Sequence, residues 1–512
     1  MKKGIIYLVG AGPGDPGLFT IKGKSVMETA DVVVFDRLVS KRILAYAPQG
    51  AEMIYVGKKA GEHVMSQDDI NAVLAQKAEA GKTVVRLKGG DPFLFGRGGE
   101  EAQYIRERGL DFEIVPGITS AAAAPAYAGI PLTHRDNNSS LTIIAGHESP
   151  EKNQSSVNWE LLGKSKGTLV FLMGVKNLRF ICRRLMECGK DADTPAALIR
   201  WGTWPEQLVL TGRLDTVARL AEERNIRPPA VIVIGKVVEM REQLAWLEKK
   251  PLWGKKIVVT RTRAQAGVMA EKIQALGGEA IEFPVIAVER ETDLKNLHNA
   301  LKNINHYDWL IFTSVNGVNI FWDEVIKYGL DIRAFYDIKI AAIGAATRKA
   351  LEGRGLKVQS VPAEFRAEGM VEALSKEIAG GQWALLPRAR GARTLLPDSL
   401  RGRGVRVNEI YLYQAVTDAG TNHTLRDDII KGAFDYLTFT SSSAVDNFVK
   451  IIGQENAVTL DKKVRVSCIG PVTADTAEKY GFTVHVRADV YTVDGLLEAV
   501  MDDVKVQRGN DF

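Results

Sequence analysis

Three loops rich in glycine and proline contain the residues of this chain whose types and spacing best suit ligand binding. They are Gly10-Ala-Gly-Pro-Gly-Asp-Pro-Gly17, Gly89-Gly-Asp-Pro-Phe-Leu-Phe-Gly-Arg-Gly98 and Pro116-Gly-Ile-Thr-Ser-Ala121. Each follows a short apolar run that predicts a β-strand, at Ile5–Val9, Val84–Leu87 and Phe112–Val115. Because open α/β sheets bind ligands at the carboxyl ends of their strands, these loops together predict a binding site.

The first loop formally fits the G-x-G-x-x-G fingerprint of dinucleotide-binding folds. Asp36 lies 19 residues beyond it, at the end of the predicted strand Val32–Phe35, where a ribose-binding acid would stand. Pro13 and Pro16, however, have no backbone N–H, and a pyrophosphate site depends on successive backbone donors at a helix N-terminus. The loop therefore predicts a site closed to phosphate, which argues against NAD.

The elements that position these loops are predicted strands and helices that alternate almost without interruption. This pattern predicts an α/β fold with parallel sheets and helices on both faces. A charged segment, Met240–Lys255, precedes a new predicted strand at Lys256–Thr260, and a polar loop at Glu148–Asn158 divides the first half. We therefore expect lobes at 1–148 and 149–240, a linker at 241–254, and a two-lobed region at 255–505.

The second half contains an internal repeat, and repeats determine architecture. Phe312-Thr-Ser recurs 127 residues later as Phe439-Thr-Ser, and Ile343-Gly recurs 126 residues later as Ile469-Gly. Further landmarks recur in the same order at the same offset. We expect two homologous α/β lobes whose facing loops line one cleft.

Composition indicates an ordinary globular protein of several domains, with 512 residues, 46% hydrophobic and 25% charged. No apolar run approaches the roughly 18 residues that span a bilayer, so we expect a cytoplasmic protein. Cys182, Cys188 and Cys468 form no metal-binding pattern and no disulfide framework, and we expect no metal. The net charge of +5 is spread along the chain, so we expect an anionic small molecule rather than nucleic acid as partner.

Together with Gly129-Ile-Pro-Leu-Thr-His-Arg-Asp136, the three loops resemble the uroporphyrinogen-III C-methyltransferase branch of the tetrapyrrole methylases. The resemblance runs from about Gly4 to Val238 and implies a two-lobed methylase fold, S-adenosylmethionine as methyl donor, and a homodimer formed through this half. Leu94 and Ala230, among the contacts it implies, could instead serve packing alone. The implied cofactor contacts are Pro13, Gly89, Gly90, Asp91, Leu94, Thr119, Ser120, Met173, Gly202 and Ala230.

The same resemblance implies two catalytic residues, Asp36 as proton acceptor and Lys58 as proton donor. A carboxylate at a strand end can take the proton that a methylated pyrrole ring must lose. The alternative for Asp36 is a turn or helix-cap residue. An ammonium with an ordinary pKa of about 10.4 is a poor acid at neutral pH, so binding a substrate carboxylate is an equal alternative for Lys58.

Basic residues in or beside the motifs predict a polycarboxylate substrate, because guanidinium groups bind carboxylates through two parallel hydrogen bonds. Solvated surface charge is the alternative. Arg37, Lys58 and Lys59 belong to this basic set. The expected substrate-binding residues of this half are Arg97, His134 and Arg135.

The second half resembles uroporphyrinogen-III synthase from about Gly254 to Val500, through Phe-Thr-Ser at a strand end and Ile-Gly-x-x-Thr opening a helix in each lobe. The resemblance implies a bilobal α/β fold with one discontinuous lobe, although the repeat leaves the exchange of segments open. It implies a catalytic Tyr413; the alternative is that Tyr411 and Tyr413 face one side of a strand. We expect hydroxyls and helix N-termini to bind carboxylates at Thr313, Ser314, Gly344, Thr347, Thr440, Ser441, Gly470 and Thr473.

The two resemblances imply a bifunctional enzyme of tetrapyrrole biosynthesis. The second half would cyclise hydroxymethylbilane, with inversion of one ring, to uroporphyrinogen III. The first half would methylate this product at C-2 and C-7, giving precorrin-2 for sirohaem or cobalamin synthesis. Two alternatives remain: a second half that senses carboxylates without catalysis, and a first half that acts on RNA or a protein side chain.

Overall fold

The computed structural model describes residues 3–48, 50–57, 65–147, 157–261, 263–362, 367–417 and 423–510. The chain forms two compact units, unit 1 from residues 1–255 with 275–279, and unit 2 from residues 256–274 with 280–512. Each unit contains two five-stranded sheets with helices against them, so the expected α/β class is confirmed. Within the described ranges, no helix is long and apolar enough to cross a membrane.

The elements of unit 1 alternate as the sequence predicts. Its strands are β1 (Ile5–Gly10), β2 (Val32–Phe35), β3 (Glu52–Tyr55), β4 (Val84–Lys88), β5 (Asp111–Val115), β6 (Leu141–Ala145), β7 (Thr168–Leu172), β8 (Pro195–Arg200), β9 (Leu208–Arg213) and β10 (Ala230–Ile234). Its helices are α1 (Ile21–Met27), α2 (Lys41–Leu44), α3 (Gln67–Glu79), α4 (Gly98–Glu107), α5 (Ser120–Tyr127), α6 (Trp159–Lys164), α7 (Leu178–Glu187), α8 (Val217–Glu223) and α9 (Arg241–Leu244).

The first sheet of unit 1 is parallel throughout and has the order β3-β2-β4-β1-β5. The chain leaves β1 toward β2 and leaves β4 toward β5, in opposite directions along the sheet. Because such crossovers are right-handed, the two connections pass over opposite faces. β1 and β4 are neighbours, so their carboxyl ends form the switch point at which open α/β sheets bind ligands.

The second sheet of unit 1 has the order β6-β7-β10-β8-β9, and only β6 and β7 pair in parallel. The expectation of parallel sheets is therefore wrong for this sheet. For β8 and β9 the reason is the short loop 201–207 that joins them, because a connection of this length returns the chain antiparallel. β10 also runs antiparallel to both of its neighbours, β7 and β8. The alanines of α5 pack on this sheet, against Val170 and Ile199, and so join the two lobes of unit 1.

Unit 2 carries the repeat. Its strands are β11 (Lys256–Val259), β12 (Glu279–Glu282), β13 (Ile286–Arg290), β14 (Trp309–Phe312), β15 (Lys339–Ala342), β16 (Trp383–Ala389), β17 (Arg406–Thr417), β18 (Tyr436–Phe439), β19 (Arg465–Cys468) and β20 (Val484–Arg487). Its helices are α10 (Arg263–Ala275), α11 (Lys295–Lys302), α12 (Val315–Lys327), α13 (Ala345–Glu352), α14 (Ala367–Ser375), α15 (Leu395–Gly402), α16 (His423–Lys431), α17 (Ser442–Ile452), α18 (Gln454–Asp461), α19 (Pro471–Lys479) and α20 (Val493–Asn510).

The two sheets of unit 2 exchange segments of the repeat. One sheet, β12-β11-β18-β19-β20, takes its strands from both ends of the unit, and the other, β13-β17-β16-β14-β15, takes them from the middle. Repeated residues therefore fall in opposite sheets: Phe312 ends β14 in one, and Phe439 ends β18 in the other. One lobe is discontinuous, which answers the question that the repeat offset leaves open.

Candidate active sites

The loops that follow β1, β4 and β5 meet at the switch point of the first sheet. Gly12 and Gly90 exchange two backbone hydrogen bonds, with N–O distances of 2.6 and 3.1 Å. Gly117 lies so close to the second loop that a Cβ atom on it would stand 2.2 Å from the carbonyl oxygen of Gly90. A side chain at Gly117 would push these loops apart, so glycine keeps them as one continuous wall.

Asp91 fastens this wall rather than standing open to solvent. Its Oδ2 accepts a hydrogen bond from the Gly117 amide at 2.9 Å, and its Oδ1 accepts from the amides of Phe93 and Leu94 at 2.8 and 3.0 Å. Three of the roughly four lone-pair positions of the carboxylate are thereby used. Asp91 orders the loops after β4 and β5 and keeps little capacity for a ligand.

A cavity of about 600 Å³ lies beside this wall, within unit 1. Its volume is in the range of small-molecule sites, roughly 300–1,000 Å³. The second sheet closes it with side chains that the sequence did not single out: Leu172, Val175, Lys176, Ile199, Trp201, Trp204, Pro228, Pro229 and Val231. The structure also brings all ten expected cofactor residues to this cavity, namely Pro13, Gly89, Gly90, Asp91, Leu94, Thr119, Ser120, Met173, Gly202 and Ala230.

The two walls of the cavity differ in chemistry. The first-sheet wall combines the backbone of several glycines and the hydroxyl-bearing residues Thr119 and Ser120 with a few apolar side chains such as Leu94. The second-sheet wall is mainly apolar and aromatic, with Met173 and Trp201 among its members. Such a cavity suits a ligand with one flat apolar part and one part rich in hydrogen-bonding groups.

The first glycine loop is closed to phosphate by its own carboxylate. Asp15 caps the short 3₁₀ helix at Pro16–Leu18, and its Oδ1 accepts from the Gly17 amide at 2.7 Å. A dinucleotide would need that donor for its pyrophosphate, and it would meet a negative charge there. The structure therefore supports the interpretation, drawn from Pro13 and Pro16, that this loop does not bind phosphate.

A clasp joins the first loop to the loop 201–207 of the second sheet. The Trp204 indole Nε1 donates to the Pro13 carbonyl at 3.0 Å, and the Asp15 amide donates to Thr203 Oγ1 at 3.2 Å. The Tyr127 hydroxyl donates to Asp15 Oδ2 at 2.7 Å. Sequence reasoning missed Thr203 and Trp204, because they lie 188 and 191 positions from their partners and no local pattern pairs them.

Strained backbone concentrates at this cavity. Six non-glycine residues in the described part of the chain have positive φ, and five of them line or flank the cavity. Such conformations cost about 1–3 kcal/mol each and persist where the surrounding structure enforces them, often at functional sites. The five residues are Phe95, Arg97, Met173, Trp201 and Thr203.

Asp36 stands at the end of β2, close to the cavity. Its Oδ1 accepts from the Leu38 amide at 3.0 Å, its side chain is 30% exposed, and Leu38 itself lines the cavity. The turn role offered as the alternative is therefore present, but it occupies only one carboxylate oxygen. Lys58 and Lys59 lie outside the described residues.

The three expected substrate-binding residues of unit 1 lie outside the cavity lining. Arg97 is exposed and donates to Glu100 through one edge of its guanidinium, with Nε–Oε1 at 3.1 Å and Nη2–Oε2 at 2.5 Å. His134 faces Asp136, with Nδ1–Oδ2 at 3.8 Å, and Arg135 is exposed. All three are accessible to a large ligand, and Arg97 would have to share its guanidinium with Glu100.

In unit 2 the expected residues stand at four helix N-termini. Ser314 and Ser441 are equivalent caps: each accepts a backbone hydrogen bond in the first turn of its helix, α12 or α17, at 3.0 and 3.2 Å. The residues preceding the other two helices, α13 and α19, are Gly344 and Gly470. Thr313 and Thr440 sit between strand and cap, whereas Thr347 and Thr473 are buried inside the first turns of α13 and α19.

Tyr413 meets one of these caps. Its hydroxyl lies 2.8 Å from Ser314 Oγ and its side chain is buried, whereas Tyr411 is 40% exposed beneath Arg390. A β-bulge separates them, because Arg388 pairs with Tyr411 but the next residue of β16 pairs with Tyr413. The two tyrosines therefore have different surroundings, whereas the alternative interpretation places both on the same side of a regular strand. Burial raises the pKa of the Tyr413 phenol, against smaller opposing effects of Ser314 and Arg388, so the hydroxyl keeps its proton.

Comparison with known proteins divides the chain in the same way. Residues 5–218 match the family described as tetrapyrrole (corrin/porphyrin) methylases, and residues 267–498 match the family described as uroporphyrinogen-III synthase HemD. The chain is 39% identical over 502 residues to a porphyrin biosynthesis protein HemD of Ruminiclostridium josui, a match that covers 98% of each chain.

Two further similar proteins are named as methyltransferases. The chain is 42% identical over 361 residues to a uroporphyrinogen-III C-methyltransferase of Bacillus subtilis, covering 70% of this chain and 74% of that protein. It is 54% identical over 241 residues to an S-adenosyl-L-methionine-dependent uroporphyrinogen III methyltransferase of Methanosarcina barkeri, covering 47% of this chain and 94% of that protein.

Proposed function

Since the chain belongs to the family of porphyrin biosynthesis proteins that join a tetrapyrrole methylase to a uroporphyrinogen-III synthase, we propose that it performs two consecutive reactions. The second half cyclises hydroxymethylbilane to uroporphyrinogen III with inversion of one ring. The first half methylates that product at C-2 and C-7, giving precorrin-2. The convergence of ten expected cofactor residues on one cavity is the observation that carries the proposal.

The methyltransferase would occupy lobes 1–148 and 149–240, followed by a linker at 241–254 and the synthase at 255–505. S-adenosylmethionine supplies a methyl group activated by the positive charge of its sulfonium. The cavity suits this cofactor: Trp201 and Met173 offer a wall for a flat base, and Thr119 and Ser120 offer hydroxyls. The capped first loop suits a nucleoside without phosphate.

Asp36 is the proposed proton acceptor. When a pyrrole carbon is methylated the ring becomes positively charged, and loss of a neighbouring proton restores its neutrality. A carboxylate can take that proton or stabilise the cation. Lys58 would donate a proton or hold a substrate carboxylate, and Arg97, His134 and Arg135 would hold further carboxylates. Most of the acceleration would come from alignment within the cavity, on the order of 7–11 kcal/mol.

In the synthase half, Tyr413 is proposed to donate its proton to the hydroxyl that leaves the bilane. Ser314 fixes the position of that phenol, and burial keeps it protonated. The amides and hydroxyls at Thr313, Ser314, Gly344, Thr440, Ser441 and Gly470 would bind substrate carboxylates, because helix N-termini attract anions. The burial of Thr347 and Thr473 limits them to supporting these first turns.

The test is anaerobic incubation of the full chain with freshly generated hydroxymethylbilane and methyl-labelled S-adenosylmethionine, followed by mass and isomer analysis. We expect a type III ring with two labelled methyl groups. Methylation only of supplied uroporphyrinogen III would make the second half a sensor or an inactive synthase. Absence of label in any tetrapyrrole would overturn the assignment of the first half.

We also propose that the chain forms a homodimer through its methyltransferase half, as the resemblance implies. Light scattering of the purified chain measures this directly. A monomeric mass over the concentration range of the assay would contradict the proposal.

A further inference from the structure

A buried cluster of charges lies under the carboxyl end of β4, and the function described so far makes no use of it. Arg86 and Lys88 alternate along β4 and therefore point to one face of the sheet. Glu101 of α4 meets them there, and the three side chains are 5%, 6% and 0% exposed. Charged side chains are rarely buried this completely in a protein interior, and when they are, opposite charges and hydrogen bonds must offset the cost of removing them from water.

One oxygen of Glu101 receives all of its described hydrogen bonds. Lys88 Nζ lies 2.6 Å from Oε1, Gln67 Nε2 lies 3.1 Å from it, and Arg86 Nε lies 3.3 Å from it. Oε2 is buried without a hydrogen-bond partner. The carboxylate thus serves as an anchor that holds Arg86 and Lys88 on one side.

Backbone atoms fix the guanidinium of Arg86 further. Its Nη1 donates to the carbonyls of Val34 and Leu87, at 3.4 and 3.2 Å. The remaining nitrogen, Nη2, lies 4.0 Å from Asp36 Oδ2. Oδ1 of Asp36 accepts a hydrogen bond from the Leu38 amide, so one oxygen of this carboxylate is held by an amide and the other lies at ion-pair distance from a buried guanidinium.

The charges of the cluster balance only when Asp36 is included. Arg86 and Lys88 bring two positive charges, and Glu101 brings one negative charge. Asp36, at the end of the neighbouring β2, brings the second. Burial, reinforced by the charge of Arg86, lowers the pKa of the Lys88 ammonium despite the opposing effects of Glu101 and Asp36.

We propose that Arg86 is a positioning residue for Asp36, whose carboxylate it holds in place beside the cavity while Glu101 anchors the other edge of the guanidinium. The proposal rests on the proposed function, because it assumes that Asp36 takes part in methyl transfer. Its consequence is that Arg86 influences the reaction only through Asp36. The binding of S-adenosylmethionine and the cyclisation reaction do not depend on it.

A double-mutant cycle in the full chain tests this consequence. Single-turnover methyl transfer to uroporphyrinogen III is measured for Asp36→Asn, Arg86→Gln and the double variant, with calorimetric binding of S-adenosylhomocysteine alongside. We expect Arg86→Gln to slow transfer by about 10- to 100-fold, as loss of an orienting partner does, with unchanged binding. In the Asp36→Asn background the same substitution should cause no further loss.

Controls separate a local role from a general one. Arg106→Gln removes an exposed arginine of α4 and should change neither rate nor binding. Arg86→Lys keeps the charge without the fork and should recover part of the rate; if Arg86→Gln does not fold, as judged by its cyclisation rate and circular dichroism, the cycle is run with this variant.

Three results would count against the proposals in distinguishable ways. Equal losses from Arg86→Gln in both backgrounds, or weakened binding of S-adenosylhomocysteine, would overturn the positioning role alone. An Asp36→Asn variant as fast as the parent would overturn the role of Asp36 and that of Arg86 with it. A parent chain that methylates no tetrapyrrole would overturn the proposed function itself.

Discussion

The two units bring their candidate residues together to very different degrees. In unit 1, ten residues from strand ends and loops of both sheets line one cavity. In unit 2, the candidates form two equivalent sets on separate sheets, and the contact between Ser314 and Tyr413 lies within one of these sets. The difference matches the ligands proposed, since a compact cofactor needs a closed cavity and a long flexible bilane can be held at spaced anion sites.

Backbone strain follows the same division. All six non-glycine residues with positive φ in the described ranges belong to unit 1, and five lie at its cavity. Where loop backbones must pack closely against one another to form a cavity, as Gly117 does against Gly90, few residue types are tolerated along the whole length of each loop. Helix N-termini make weaker demands, because many sequences can supply a cap and free amides. This contrast explains why the motifs of unit 1 are long and those of unit 2 are short.

The largest expected effect is the separation of the two activities by Asp36→Ala. Methyl transfer should fall by about 10²–10⁴-fold, because a general base is removed from the reacting ring. Cyclisation by the same preparation serves as the control and should be unchanged. Parallel loss of both activities would contradict the assignment of methyl transfer to unit 1 and cyclisation to unit 2.

Tyr413→Phe tests the other unit. We expect cyclisation to slow by about 10²-fold, since a buried proton donor is lost, while methyl transfer of supplied uroporphyrinogen III is retained. Because burial raises the pKa of Tyr413 above its ordinary value, the parent should show no loss of rate from deprotonation of this phenol below about pH 10. Tyr411→Phe, at an exposed position on the same strand, is the matched control; an equal effect of both variants would remove Tyr413 from the reaction.

Gly117→Ala sharpens the claim that the cavity depends on close backbone approach. The added methyl group would overlap the Gly90 carbonyl, and the adjustment should cost about 1–3 kcal/mol, measured as weaker binding of S-adenosylhomocysteine. Gly99→Ala, in α4, meets only Phe93 at 3.8 Å and should leave binding unchanged. Tight binding by the Gly117 variant would show that the three loops move independently.

The smallest expected effect concerns the clasp. Trp204→Phe removes the indole donor to the Pro13 carbonyl and should weaken S-adenosylhomocysteine binding by about 1 kcal/mol. Trp246→Phe loses an indole bond of equal length, 3.0 Å to the Ala126 carbonyl, outside the cavity. Calorimetry on both variants measures the difference, and equal losses would mean that the clasp has no special relation to the cofactor.

Local chemistry allowed much of unit 1 to be predicted. The strands before all three loops were predicted to within a residue, and β2 at its observed bounds, because glycine, proline and branched apolar residues impose their conformations on short segments. The ten expected cofactor residues could be named because the motifs of this half resemble those of the tetrapyrrole methylases. The repeat likewise predicted two similar lobes, because the equal spacing of its landmarks can be read from the sequence without knowing the order of the strands.

What the sequence determined by itself is therefore the class of fold, the two halves, and the loops at which ligands are expected. Tertiary structure alone decided the antiparallel second sheet, the exchange of repeat segments, and the bulge that turns Tyr413 toward Ser314. It also decided the clasp and the cluster around Arg86. The physical reason is range: the first group depends on neighbours along the chain, whereas the second depends on contacts between residues that are far apart in the sequence and meet only in the folded protein.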